Sequence, residues 1–152
     1  MSILRKAMEK HSVEGICYKT LSNQVVQCTA CAHYCTIKPG QTGICQMRCN
    51  HDGKLFVQNG YVSAAQADPI EKKPFAHFLP GSTAMTFGML GCNFNCDFCQ
   101  NWISSQTLKD EAARIPVEAI KSISAKELVD LAVRRKAETV VSSYNEPMIT
   151  VE

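Results

Sequence analysis

The sequence predicts an α/β fold with a parallel sheet, preceded by a small cysteine-rich module. Residues 83–90 form a short apolar segment with the length and composition of a buried strand. A helical pattern follows at residues 124–137, and residues 139–143 are rich in the β-branched side chains that favour strands. The order strand, helix, strand predicts a βαβ unit, in which the two strands are parallel.

Composition restricts the class of protein. The chain has 152 residues, of which 20% are charged and 45% hydrophobic, as is typical of one globular domain. A net charge of +2 gives no support for a nucleic-acid-binding surface. No segment approaches the roughly 18 apolar residues of a membrane helix, and the N-terminus lacks the apolar core of a signal peptide. We therefore expect a cytoplasmic protein that binds neither nucleic acid nor membrane.

The first half of the chain contains short elements. Residues 1–15 suggest a short helix or a loose end, and residues 55–59 and 61–64 suggest two short strands around Gly60. Residues 24–49 are rich in Cys, Gly and Thr and look too short to form a hydrophobic core, so we expect a metal to organise them. Residues 68–80 form a proline-bounded connector. The predicted units are therefore an N-terminal module with its connector, residues 1–80, and residues 81–152.

The second half contains the βαβ unit. Ser124 and Glu127 have the spacing of a capping box, and apolar residues repeat at helical spacing after them until about Ala137. Chemistry in parallel α/β folds gathers at the carboxyl ends of strands. Because two βα units are too few to close a barrel, we expect residues 81–152 to be the truncated start of a larger domain in a longer protein. A complete two-stranded α/β domain is the alternative.

Three cysteines follow the first strand of this unit. Cys92, Cys96 and Cys99 have the spacing C-x3-C-x2-C, and Phe98 precedes the third. Thiolates are the usual ligands of iron–sulfur clusters. A 4Fe–4S cluster held by three cysteines keeps one iron open, which indicates chemistry rather than electron storage. A four-cysteine zinc site that recruits Cys17 or Cys49 is the alternative.

A second group of cysteines lies upstream. Cys28, Cys31, Cys35 and Cys45 match the ligand types of a structural zinc site and would equally suit a second iron–sulfur cluster. The spacing does not choose between these metals. His33 is either a further ligand or a hydrogen-bond donor to a thiolate. Cys17 and Cys49 have the default interpretation of buried free thiols.

The motifs together resemble a known family. The C-x3-C-x2-C loop with its preceding aromatic residue resembles the radical S-adenosylmethionine (SAM) superfamily. Asn145, Glu146 and Pro147 stand where that superfamily has the end of a Gly-Gly-Glu-Pro-like segment. With residues 68–74, 77–82 and 91–101 in this order, residues 28–152 resemble the radical SAM enzyme of the AmmeMemoRadiSam system, a relative of pyruvate formate-lyase-activating enzymes.

The resemblance implies an oxidoreductase on a partial (βα)6 barrel. Cys92, Cys96 and Cys99 would form the catalytic centre by binding three irons, and SAM would chelate the fourth. Phe98 would pack near the adenine, and Asn145 and Glu146 would contact the amino group of SAM. Reductive cleavage would give a 5′-deoxyadenosyl radical that abstracts hydrogen from an unidentified protein or small molecule. A reductant such as a ferredoxin or flavodoxin, and AMMECR1-like and Memo-like proteins, are the implied partners.

Two other classes of function compete with this one. An electron-transfer module would use its clusters without an open iron, so SAM binding separates it from an enzyme. A zinc-binding structural or interaction module would be colourless and contain only zinc.

Overall fold

The computed structural model describes residues 3–152, which form a mostly β protein with three short helices and four small sheets. No helix within these residues is long and apolar enough to cross a membrane. The helices are α1 (Ile3–Glu9), α2 (Trp102–Gln106) and α3 (Ala125–Arg134). The strands are β1 (Ser12–Glu14), β2 (Tyr18–Thr20), β3 (Val26–Cys28), β4 (Thr36–Ile37), β5 (Arg48–His51), β6 (Lys54–Gln58), β7 (Tyr61–Val62), β8 (Ala64–Pro69), β9 (Thr83–Gly88), β10 (Lys121–Ser122) and β11 (Thr139–Tyr144).

Two antiparallel sheets form the N-terminal part, in the orders β2-β3-β4 and β1-β6-β5. Val26 and Ile37 of the first sheet pack with Leu55 and Val57 of β6, and all four are almost completely buried. Residues 24–49 therefore do not form a hydrophobic core from their own side chains alone, as expected from their length. The missing apolar surface comes from β6, which lies later in the chain.

The third sheet is mixed and contains the predicted βαβ unit. Its order is β11-β9-β8, with the central strand β9 parallel to β11 and antiparallel to β8. Helix α3 packs on this sheet through Leu128 and Ala132, which contact Met85. The predicted capping box is confirmed, since the Ser124 hydroxyl accepts from Glu127 N–H and Ser124 N–H donates to the Glu127 carboxylate. The parallel pairing of the two predicted strands is also confirmed.

The predicted fold class, an α/β fold that starts a partial (βα)6 barrel, is wrong for the described residues. Residues 64–69, of which the last two were assigned to the connector, form β8 and pair along the whole of β9. An antiparallel strand thus occupies the edge of β9 opposite β11. Helix α2 has only five residues, and β10 pairs with β7 of the N-terminal half rather than extending the parallel pair. A single βαβ connection is therefore embedded among antiparallel strands.

Candidate metal centres

The Cys92 loop begins where β9 ends, and its first residues are held firmly. Leu90 is buried, and its N–H donates to the Tyr61 hydroxyl at 3.1 Å. Gly91 has a φ of +82°, and a Cβ atom there would lie 2.4 Å from Met47 Cγ. Only glycine fits this position, because a side chain would meet both an unfavourable backbone conformation and a steric clash. The backbone therefore enters the loop in one defined direction.

The three thiols of the loop differ in exposure. Cys92 is buried, and Phe94 N–H donates to its Sγ at 3.4 Å. Cys99 is half-buried, with its Sγ 3.6 Å from Ser105 Oγ, and Cys96 is exposed. The loop thus has an inner side against the protein and an outer side open to solvent.

The donor chemistry of this loop fits an iron–sulfur cluster, since three thiols lie within eight residues on one partly open loop. Among residues 3–152, however, no three His, Cys, Asp or Glu side chains stand close enough together to hold a metal ion. Cluster binding would therefore require the thiols to turn towards a common point. Phe98 is 88% exposed, so its ring is not packed against the protein.

Residues 104–109, which follow the loop, hold its backbone in place through hydrogen bonds. Gln106 Nε2 and Lys109 Nζ both donate to the carbonyl oxygen of Phe94 at 3.1 Å. Gly91 N–H donates to the carbonyl of Ser104 at 3.0 Å. The sequence does not predict a role for these residues, because side-chain contacts to backbone carbonyl oxygens produce no recognisable residue pattern.

Asn145 follows β11 and lies beside the start of the Cys92 loop. Its Nδ2 donates to the carbonyl of Met89 at 2.6 Å, and its Oδ1 accepts from Ser104 Oγ at 3.1 Å. It adopts a φ of +64°, a conformation that Asn tolerates better than most residues. The carboxyl ends of the two parallel strands are thus linked through this side chain.

Glu146 has a different role in the described structure. Its Oε1 accepts from Met148 N–H at 3.3 Å and caps the short 3-10 helix Pro147–Thr150. The second carboxylate oxygen has no protein hydrogen bond within residues 3–152. The cofactor-binding roles assigned to Asn145 and Glu146 remain predictions.

Asp68, at the end of β8 in the same sheet, forms ion pairs with two lysines, which the sequence did not predict. The Asp68 carboxylate accepts from Lys72 Nζ at 3.0 Å and from Lys73 Nζ at 3.2 Å, and these contacts lower the pKa of Asp68. The Lys73 side chain is almost completely buried, with its Nζ 5.2 Å from the centre of the Tyr144 ring. Lys73 is therefore packed against the sheet rather than solvated.

The four upstream cysteines come together around one cavity. Cys28, Cys31, Cys35 and Cys45 all line a small cavity of about 10 Å³. Cys28 and Cys35 face each other across the β3–β4 hairpin, where Cys28 N–H donates to the Cys35 carbonyl at 2.9 Å. Burial raises the pKa of the Cys28 and Cys45 thiols. The structure thus brings the four residues together, whereas their spacing gave no sign that Cys28 and Cys45 are buried.

The two cysteine groups are neighbours. Asn93 of the loop lines the same cavity, and the rings of His33 and Phe94 are in edge contact with centroids 6.4 Å apart. His33 is not among the residues that line the cavity. Cys17 and Cys49 also lie outside its lining, and Cys49 Sγ is 3.3 Å from His51 Nε2.

Comparison with known proteins identifies a longer relative. A protein of Methanocaldococcus jannaschii with the name "Uncharacterized protein MJ0808" is 37% identical over 140 residues, which cover 91% of this chain. The chain spans 40% of that relative's length. No family model matches the sequence, and no solved structure matches it. The comparison therefore relates this chain to part of a larger protein and supplies no activity.

Proposed function

We propose that the chain is part of a radical SAM enzyme whose 4Fe–4S cluster is held by Cys92, Cys96 and Cys99. One observation carries the proposal. The three-thiol loop starts at the carboxyl end of β9, and Asn145, from the end of the neighbouring parallel strand, is hydrogen-bonded to the start of that loop. The cluster ligands thus lie at the same end of a parallel strand pair as Glu146, the candidate SAM contact that follows Asn145. The sequence resemblance supports the same activity.

When bound, the reduced cluster would supply the electron that cleaves SAM into methionine and a 5′-deoxyadenosyl radical. The protein's own residues would hold and orient the reactants. The free oxygen of the Glu146 carboxylate is an acceptor suited to the SAM ammonium group. The exposed Phe98 ring offers an apolar face to the adenine. Asn145 would act as a positioning residue, because both ends of its amide already bind the loop or α2.

The substrate is proposed only by class, as a protein or small molecule that loses a hydrogen atom. The reductant would be a ferredoxin or flavodoxin, and AMMECR1-like and Memo-like proteins are the proposed companions. Because the chain spans less than half of its relative, assays of turnover require the full-length protein.

Cluster binding can be tested on this chain. After anaerobic reconstitution with iron and sulfide and reduction with dithionite, we expect an EPR signal of a reduced 4Fe–4S cluster that changes shape when SAM is added. The variant C96A should lose the signal, and C49S, which alters a thiol outside the loop, should retain it. A cluster whose spectrum ignores SAM would instead support an electron-transfer module. Absence of any cluster would overturn the proposal.

The contact with SAM can be tested separately. We expect E146A to weaken SAM binding by about tenfold, as loss of one hydrogen bond to a charged group would do, without preventing cluster assembly. Titration of the reconstituted chain with SAM, followed by EPR, measures this change. E118A is the matched control, since Glu118 lies on a separate 3-10 helix, Val117–Ala119. Unchanged SAM affinity in E146A would show that Glu146 only caps its helix.

A further inference from the structure

We propose that Cys28, Cys31, Cys35 and Cys45 bind a single zinc ion in the cavity they line, and that Arg48 donates a hydrogen bond to one of the thiolates. The proposal concerns the second cysteine group alone. It uses none of the residues assigned to the radical SAM cluster and stands or falls independently of it.

The four thiols belong to two adjacent backbone turns. Cys28, Cys31 and Cys35 lie on the β3–β4 hairpin, where Tyr34 N–H donates to the Cys31 carbonyl to form a turn. Cys45 lies in the turn before β5, which Gly43 and Arg48 close through a 2.8 Å hydrogen bond. Gly43 lies beside the hairpin, since a Cβ there would be in ordinary contact with Cys35 Sγ at 3.6 Å. One turn thus supplies three thiols and the other supplies one, and four thiolates are a common ligand set of structural zinc sites.

The size of the cavity distinguishes a zinc ion from a cluster. Its volume of about 10 Å³ is roughly that of one water-sized sphere, which is enough for one ion. A 4Fe–4S cubane contains eight atoms and would require the walls to move apart. Those walls include buried apolar residues, Ile37 and Ile149 among them. A cavity of this size favours a single ion, which would make bonds of about 2.3 Å to sulfur.

Arg48 supplies the second, independent observation. It lines the cavity, is 3% exposed, and uses Nη1 to pair with the Glu152 carboxylate. Its Nη2 is buried and has no hydrogen-bond partner within residues 3–152. A buried donor without a partner is costly, so this atom requires an acceptor in or beside the cavity. Four thiolates around Zn²⁺ carry a net charge of −2, and a thiolate that accepts from the guanidinium meets that requirement.

Zinc binding requires a small rearrangement of side chains. In the side-chain conformations of the structure, no three potential ligands within residues 3–152 lie close enough together to bind one metal ion. Each cysteine side chain has one rotatable bond that moves its sulfur, with three staggered positions available. The proposed site requires rotation about these bonds to turn the four sulfur atoms towards the cavity that their residues line.

Metal analysis of the purified chain tests the proposal. We expect one zinc per chain in the wild type and in the triple variant C92A/C96A/C99A, which cannot form the radical SAM site. C35S should lose the zinc, and C49S, which alters a thiol outside the cavity, should keep it. Replacement of zinc by cobalt should give the thiolate-to-cobalt charge-transfer absorption of a four-thiolate site. This spectrum uses wild-type protein and so remains decisive even where C35S fails to fold.

The role of Arg48 has its own measurement. We expect R48M to weaken zinc binding by about 10- to 100-fold in competition with a chromophoric chelator, as loss of an outer-shell hydrogen bond does. E152Q is the control for loss of the Arg48–Glu152 ion pair and should retain more of the affinity. Equal affinities of R48M and wild type would overturn the hydrogen bond to a thiolate.

Two results would overturn the zinc site. One is the absence of zinc from the triple variant, and the other is iron with sulfide bound by the four upstream cysteines. The failure of the radical SAM proposal looks different, because it would leave one zinc per chain while reconstituted wild type shows no SAM-sensitive cluster.

Discussion

The two cysteine groups of this chain use the same ligand atom in opposite surroundings. The upstream, closed group lines a small cavity, with Cys28 4% and Cys45 5% exposed and with Cys31 and Cys35 half-buried. The Cys92 loop has one buried thiol, Cys92, and an outer side where Cys96 and Phe98 are exposed. A closed site suits an ion that stabilises the fold, whereas an open one suits a group that must meet a small molecule. Burial, more than spacing, therefore separates the roles proposed for the two groups.

The largest expected effect concerns thiol reactivity. In the native chain we expect iodoacetamide to alkylate Cys96 about a thousandfold faster than Cys28 or Cys45. The buried thiols react only after local opening, for which roughly 4 kcal/mol is a reasonable cost, and burial also raises their pKa. Quenched time courses analysed by peptide mass spectrometry give the individual rates. Cys49, half-buried and outside the cavity, serves as the internal control and should react at an intermediate rate. Equal rates for Cys96 and Cys28 would remove the distinction between closed and open groups.

The next largest effect is expected at Gly91, where the Cys92 loop contacts the turn that carries Cys45. We expect G91A to lower the free energy of unfolding by about 3 kcal/mol. An alanine at this position would have an unfavourable positive φ, and its Cβ would lie only 2.4 Å from Met47 Cγ. Urea denaturation measures the change. G60A is the matched control, since Gly60 also has a positive φ but no atom within 4 Å of the new Cβ. Its cost should be about 1 kcal/mol. Similar costs for the two variants would show that the groups are not in tight contact.

Local signals in the sequence predicted local structure well. The capping box of α3, the two strands that flank it and the nearness of the four upstream cysteines all depend on residues close together in the chain. The fold class depended on which strand covers the other edge of β9. Residues 64–69 carry the polar and proline residues of a connector, and their pairing with β9 is decided by tertiary contacts. The prediction of a barrel failed at this point.

Long-range polar contacts could likewise not be predicted from the sequence. Arg48 pairs with Glu152 across 104 positions, and Tyr61 binds Leu90 N–H across 29. Neither residue stands in a motif, and the partner of each is defined only by the folded chain. The elements that position both cysteine groups therefore became visible only in the structure.

A smaller effect on stability is expected at Glu152, which pairs with Arg48 beside the closed group. Burial opposes ionisation of this carboxyl group, but hydrogen bonds from Cys17 N–H, Arg48 and Ile16 N–H outweigh it and lower its pKa. We expect E152Q to lower the free energy of unfolding by about 2 kcal/mol at pH 7, because the Arg48 pair is lost and only a neutral acceptor remains. Urea denaturation across a pH series provides the measurement.

The pH dependence of E152Q gives the direction of this contribution. The folded chain binds the Glu152 proton less tightly than the unfolded chain, whose pKa is about 4.5. The carboxylate therefore stabilises the fold above that pH, and its contribution disappears as the pH falls through the lower folded-state value. Wild type and E152Q should converge in acid. A constant difference from pH 7 down to the acid range would contradict the lowered pKa.

The smallest expected effect tests the start of the open loop. Y61F removes the hydroxyl that accepts from Leu90 N–H and leaves this buried donor without its partner, so we expect a loss of about 1 kcal/mol in the free energy of unfolding. Y18F is the matched control, because its hydroxyl makes an exposed hydrogen bond to Glu14 and its loss should be within about 0.5 kcal/mol of zero. Amide hydrogen exchange gives the sharper readout. In Y61F the Leu90 amide should exchange faster, while amides of the β3–β4 hairpin, which supports the closed group, keep their rates. Faster exchange in both places would mean that the loop and the hairpin unfold as one unit, and that the difference between the two cysteine groups ends at their exposure.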